Sequence, residues 1–153
     1  YSHYILHAYG LSTTNDSSNS DIYLRMYSAT GTEYTSSNYF SCTQSASATS
    51  SSASNSAGKR HSSSFWDFSS NNLEADIGRG FTGYARFYMP QSTTHSVRYF
   101  VDSYSFHAGT ANHYNISTRG HIDDNSQTYT GFVVYTSGGS LDAGELILYG
   151  VKK

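Results

Sequence analysis

Cys42 is the only cysteine in this chain. One cysteine excludes an internal disulfide framework and a cysteine-based zinc site, and the expectation for it is a small buried or half-buried residue. Cationic charge is also scarce. Nine Lys and Arg stand against eleven Asp and Glu, a formal net charge of −2, and no basic stripe exists to collect phosphates, which argues against nucleic acid as a partner. The one basic cluster, Lys59-Arg60-His61, sits in a serine tract and reads as a solvated loop. No run comes near the roughly 20 apolar residues of a membrane-spanning helix, so no membrane insertion is expected. Proline occurs once, so turns must be read from Gly, Asn, Asp and Ser.

What remains is apolar and aromatic. Hydrophobic residues reach 37% against 13% charged, so this is not a charge-rich disordered chain, and 153 residues fit one domain spanning 1–153. The chain begins at Tyr1 without a methionine, as a processed or partial chain would. Fifteen tyrosines and eight phenylalanines favour half-buried pleated surfaces and wet interfaces.

Alternation dominates the pattern, and no segment has a helical period. Tyr4, Leu6 and Ala8 share one strand face, with His3, Ile5, His7 and Tyr9 on the other. Ile22, Leu24 and Met26 oppose Tyr23, Arg25 and Tyr27; Ala85, Phe87 and Met89 oppose Tyr84, Arg86 and Tyr88. Each reads as a strand with one core face and one wet face. Further strands are predicted at 38–43, 97–106, 111–122, 128–136 and 145–151, and 97–106, apolar on both faces, is expected at the centre of a sheet. Many short strands between turn signals predict an all-β fold, an antiparallel β-sandwich of jelly-roll-like kind. Residues 45–64, mostly Ser, Ala, Asn and Gly, cannot bury a core and are expected to form a flexible excursion. Phe65-Trp66-Asp67-Phe68 then re-anchors the chain, with Trp66 either a core plug or a sugar-stacking platform.

Catalytic chemistry finds little support. No Gly-x-Ser-x-Gly turn is present, and His61, His95 and Asp67 form a triad only under arbitrary folding. Asp123-Asp124 is the one adjacent acidic pair. Neighbouring residues diverge, so a turn role is expected rather than the two facing carboxylates of a glycosidase. His3 and His7, four apart on a strand, lie about 13 Å from one another, too far to share an ion. His107, His113 and His121 lie on neighbouring predicted elements and leave a convergent metal site open, though ordinary surface imidazoles are the expectation. No enzyme, metal or cofactor is therefore expected. The candidate ligand-contacting residues are the wet aromatics Tyr23, Tyr27, Tyr84 and Tyr88, together with Trp66. Flanked by Arg25 and Arg86, they suit stacking on sugar rings, packing against a neighbouring subunit, or cross-strand pairing within a sheet.

The two ends of the chain carry a recognisable pattern. Near the start are Tyr4-Ile5-Leu6, Asp21-Ile22-Tyr23-Leu24-Arg25-Met26, Gly31-Thr32-Glu33-Tyr34 and Tyr39-Phe40. At the end are Gly131-Phe132-Val133-Val134-Tyr135, Ser137-Gly138 and Ala143-Gly144-Glu145-Leu146-Ile147-Leu148-Tyr149-Gly150-Val151-Lys152, where Gly144 is expected to turn the chain sharply into the last strand and Leu146 and Leu148 to point inward. Together they resemble a module widespread in tailed-bacteriophage virion proteins, many from marine phages. The resemblance runs from Tyr4 to Lys152 and is carried least by residues 44–80. It implies a jelly-roll-like domain of a tail fibre, capsid fibre or decoration protein, located on the virion or otherwise extracellular. It also implies a homo-oligomer, a trimer foremost, with other virion proteins as partners and no catalytic residues. The expected function is a non-enzymatic virion surface module that aids attachment to host cell-surface glycan. Two alternatives stand beside it: a capsid decoration or tail-assembly protein that binds no receptor, and a cellular secreted carbohydrate-binding, adhesion or filament module.

Overall fold

A computed structural model describes residues 3–14, 20–49, 51–69, 80–88, 96–107, 112–124, 126 and 128–152, with the backbone alone at 59–62, 106, 107 and 112. Among them lie ten strands and no helix: β1 (His3–Thr13), β2 (Ile22–Ser28), β3 (Tyr39–Ala48), β4 (Ala53–Ser63), β5 (Trp66–Asp67), β6 (Phe81–Tyr88), β7 (Arg98–His107), β8 (Asn112–Ile122), β9 (Tyr129–Thr136) and β10 (Leu141–Val151). They form an all-β antiparallel sandwich of two unequal sheets. Seven strands run in the order β10-β1-β6-β7-β8-β3-β4, and three in the order β5-β2-β9. The first and last described strands are neighbours, paired from His3 with Val151 to Thr13 with Leu141. β7, apolar on both faces in sequence, is the central strand of the large sheet.

Period-two patterning sets the faces. Leu6, Ala8, Phe81, Ala85, Phe87, Tyr99, Val101, Ile116 and Ile122 of the large sheet point inward and are buried, as are Ile22, Leu24 and Met26 of the small one. The sheets are joined by aromatic side chains. Trp66 stacks on Tyr99 at 4.6 Å with a 3° interplanar angle and meets Tyr39 edge-on at 5.1 Å; Phe87 stacks on Phe132 at 4.8 Å. Each buried polar tip in this group reaches the opposite sheet. Tyr99 donates to the Asp67 carbonyl at 2.7 Å, Trp66 Nε1 to the Phe40 carbonyl at 3.2 Å, and the Met26 amide donates to Tyr39 Oη at 3.0 Å. Burial raises the Tyr39 and Tyr99 phenols well above their ordinary range, so both stay neutral donors. A methyl group at Gly120 would come within 2.5 Å of the Phe40 carbonyl and 2.9 Å of Trp66 Nε1; only glycine lets the indole in.

The structure differs from the sequence reading at four places. Residues 45–64 do not form a loose excursion: β3 runs on to Ala48 and β4 returns from Ala53, with hydroxyl pairs Ser45–Ser56 at 2.6 Å and Ser47–Ser54 at 2.8 Å across the hairpin. The tract lies beyond the cover of the small sheet, so its inward positions need no apolar side chain. Second, Cys42 is exposed on the outer face of β3, because Tyr39 and Ser41 take the inward positions. Third, β10 starts at Leu141, and Gly144 lies within it rather than turning the chain into it. Its φ of 104° fits it against a bulge of β1 between Tyr9 and Ser12, where a Cβ would sit 2.6 Å from the Gly10 carbonyl oxygen. Fourth, Leu146 and Leu148 lie on the core-side face as expected, opposite Ala8 and Leu6, yet remain 39% and 50% exposed because the small sheet does not reach them.

Removing the indole should therefore loosen both sheets. Trp66→Ala is expected to cost about 3–5 kcal/mol and Trp66→Phe clearly less, read from urea unfolding followed by circular dichroism. Equal, small losses would show that the stack does not hold the sandwich together.

Candidate functional site

Strand register places the outward side chains of the large sheet in rows. One row runs Tyr88, Arg98, His121, Phe40 across β6, β7, β8 and β3. The next runs Tyr149, Ile5, Arg86, Phe100, Arg119, Cys42, and a third runs Ile147, His7, Tyr84, Asp102, Ser117, Gln44. Tyr9, Tyr84, Tyr88, Phe100, Tyr104 and Tyr149 are all among the exposed large hydrophobic residues of the molecule. At the β10 end they cluster around His7, which meets Tyr149 edge-on at 5.5 Å, Tyr9 face-on at 5.8 Å and Tyr84 at 6.1 Å.

The middle of this face holds an open cleft of about 970 Å³ lined by Tyr88, Ser96, Arg98, Phe100, Arg119, Gly120 and His121. Arg119 is fixed by its surroundings. Its Nη1 donates to Ser117 Oγ at 2.8 Å and to the carbonyls of Thr118 and Val101 at 3.1 and 3.2 Å, and its guanidinium lies 5.5 Å from the Phe100 ring centre. Asp102 accepts from Arg119 at 3.4 Å on one oxygen and from Tyr84 at 2.8 Å on the other. Partial burial works against the Asp102 charge, but hydrogen bonds from Ser117 and Tyr84 and the charge of Arg119 outweigh it and hold the carboxyl below its usual range. The Tyr84 phenol is raised, chiefly by its hydrogen bond to that carboxylate. A second open hollow of about 580 Å³, without charged groups in its lining, continues along the same sheet, with Gln44, Asn55, Asn115 and Ser117 on its walls.

The five candidate residues do not form one site. Tyr84 and Tyr88 lie on this face. Tyr23 and Tyr27 lie on the outer face of the small sheet, at the opposite side of the sandwich, and are half-buried. There Tyr23 stacks on Phe65 at 4.1 Å and meets Tyr135 edge-on, while Arg25 is held by Glu33 at 2.6 Å and by the Ser64 carbonyl at 3.0 Å. On that face the Tyr23 ring and the Arg25 charge are both taken up by neighbours. Trp66 has no exposed surface at all: it is the core plug, and its burial between Tyr39 and Tyr99 removes it from the set of possible contacts. The sequence reading missed Phe100 and Tyr149 as surface aromatics. The signal was present, since Phe100 alternates with the inward Tyr99 and Val101, but an apolar run on a central strand does not show which of its faces is wet.

Among the other candidates, Asp124 takes the expected turn role, accepting from the Ser126 amide at 2.8 Å and from the Tyr34 hydroxyl at 2.5 Å. His113 and His121 lie eight residues apart on β8, about 27 Å by strand rise, and do not converge. His95 and Met89, and the side chains of Lys59, Arg60, His61 and His107, lie outside the described residues. Among the described residues no group of three or more His, Cys, Asp or Glu has metal-binding geometry.

No family model matches the chain, and neither a curated protein nor a solved structure matches it.

The depressed Asp102 carboxyl makes the surface beside the cleft pH-dependent. The stability it contributes is complete above the ordinary aspartate range and is lost as pH falls through its lowered value in the folded state. Asp102→Asn should lower the thermal midpoint at pH 7, and the gap to the parent should close as pH falls toward 3. A gap that stays constant would show that the carboxylate is not held by its neighbours.

Proposed function

We propose that this chain is a non-enzymatic surface module of a bacteriophage virion, of tail-fibre or capsid-fibre type, that contacts host cell-surface glycan through the outer face of its seven-stranded sheet. The observation that carries the reading is that face itself. Exposed aromatic rings, two of them beside an open cleft, stand next to guanidinium, amide and hydroxyl groups. Sugars need both kinds of contact: a flat apolar ring for their C–H faces and donors or acceptors for their hydroxyls. A strand scaffold holds these groups in a fixed plane, so little ordering is required on binding. Individual contacts of this kind are weak, and an oligomer displayed in many copies would multiply them. The virion placement rests on the resemblance carried by the two ends of the chain.

Assembly into a homo-oligomer is supported by a separate observation. Where the small sheet stops covering the β3–β4 end, the inward positions become Ser45, Ser47, Ser54 and Ser56; at the β10 end they remain Leu146 and Leu148, on a strand whose outer edge is unpaired in the described structure. Leucines there suit cover by a second copy, with other virion proteins as further neighbours. Without receptor binding, this surface alone would fit a decoration or assembly protein.

Two experiments separate these roles. Purified oligomer should bind intact host cells saturably and be competed by their extracted surface polysaccharide. Tyr88→Ala and Tyr84→Ala should each weaken per-site binding by about two- to tenfold, the worth of one ring contact, whereas Tyr27→Ala should not. Absence of competed binding by intact oligomer would favour assembly alone. In sedimentation, the paired change Leu146→Ser with Leu148→Ser should convert an oligomer to a folded monomer, and unchanged sedimentation would place the subunit contact elsewhere.

A further inference from the structure

Resting on the glycan-contact reading, we propose that the cleft between Tyr88, Arg98, Phe100, Arg119 and His121 selects a sugar unit bearing an oxyanion, either carboxylate or sulfate, over a neutral one.

The chain as a whole is slightly acidic, yet this part of its surface is not. Three of its nine Lys and Arg residues, Arg86, Arg98 and Arg119, point outward on adjacent strands here. Among the described residues no acid lines the cleft; Asp102 stands one row away, and both its oxygens are engaged, one by Arg119 and one by Tyr84. It therefore balances one cation. Among the described residues neither Arg98 nor Arg86 makes a hydrogen bond or ion pair with a side chain. Arg98 lies opposite His121 and diagonal to Arg119, a backbone spacing of about 7–8 Å on one face. Like charges so placed repel, and folding gains nothing from them. An anion in the cleft would turn that repulsion into attraction.

Geometry favours a sugar-borne anion. A guanidinium presents paired N–H groups that match a carboxylate or sulfate. Arg119 is already oriented by Ser117 and two carbonyls, so its remaining donors are pre-positioned. Phe100 and Tyr88, 39% and 42% exposed, flank Arg98 along and across the strand and offer flat surfaces for the ring that carries the charge. The hollow of Gln44, Asn55 and Asn115 beyond β8 gives neutral hydrogen-bonding groups where an adjoining sugar would lie.

The test is calorimetric titration of the oligomer with four probes: oligogalacturonate, its full methyl ester, a short dextran sulfate and the matching dextran. At least one anionic probe should bind about tenfold or more tightly than its neutral counterpart, as expected for a charge-assisted hydrogen bond. That advantage should shrink with added salt. Which anionic probe shows it distinguishes carboxylate from sulfate. Arg98→Gln should abolish the advantage, whereas Lys152→Gln, an equal loss of charge at the end of β10, should leave it. Equal binding of charged and neutral probes would overturn the selectivity while leaving the glycan reading standing. An equal effect of both substitutions would reduce the attraction to diffuse charge and overturn the site. Binding neither to any probe nor to host cells would remove the glycan reading and this inference together.

Discussion

The aromatic clasp at Trp66 is the contact on which the rest of the sandwich depends. Two pleated sheets can pack through apolar area alone, but such packing is non-directional and leaves their relative position loosely specified. Here three buried polar tips each find a partner on the opposite sheet: Tyr99 on the Asp67 carbonyl, Trp66 on the Phe40 carbonyl, and Tyr39 as acceptor of the Met26 amide. None of the three can slide by a residue without stranding a buried donor or acceptor, which costs about 1–3 kcal/mol each. The clasp therefore sets where the small sheet lies over the large one. By doing so it also sets which ends of the large sheet are left uncovered.

The uncovered ends explain much of what sequence patterning could and could not convey. Alternation gave the faces of β1, β2 and β6 because each has one buried and one wet side, and the central place of β7 followed from its apolar character on both. Residues 45–64 were opaque for a physical reason. A strand outside the core has no apolar side chain to betray its period, and its pairing is carried by backbone and by serine hydroxyls that look like loop chemistry. Leu146 and Leu148 erred in the other direction: their period placed them on the core side, and nothing in a single chain tells how far the opposite sheet extends.

The candidate site was half legible. Tyr84 and Tyr88 were readable as wet aromatics from alternation with Ala85 and Phe87. That they share a face with Phe100, Arg98 and Arg119 depends on strand order, and β6, β7 and β8 become neighbours only through pairings a linear pattern does not contain. Tyr23 and Tyr27 carried the same local signal, yet they lie on the other sheet, where Phe65 and Tyr135 pack on Tyr23 and Glu33 holds the neighbouring Arg25. Identical patterning thus yields half-buried aromatics packed on neighbours on one sheet and more exposed ones on the other. What separates the two is how many partners the fold delivers to each.

The serine-lined hairpin of β3 and β4 has a consequence of its own. Its cross-strand contacts at Ser45–Ser56 and Ser47–Ser54 join small, interchangeable side chains, and both of its faces meet water. No buried residue depends on the identity of its outward positions, and the clasp lies at the opposite end of β3. The hairpin is thus a graft point: a projecting arm whose composition can be rewritten, or whose tip can accept foreign sequence, while the two-sheet body keeps its packing.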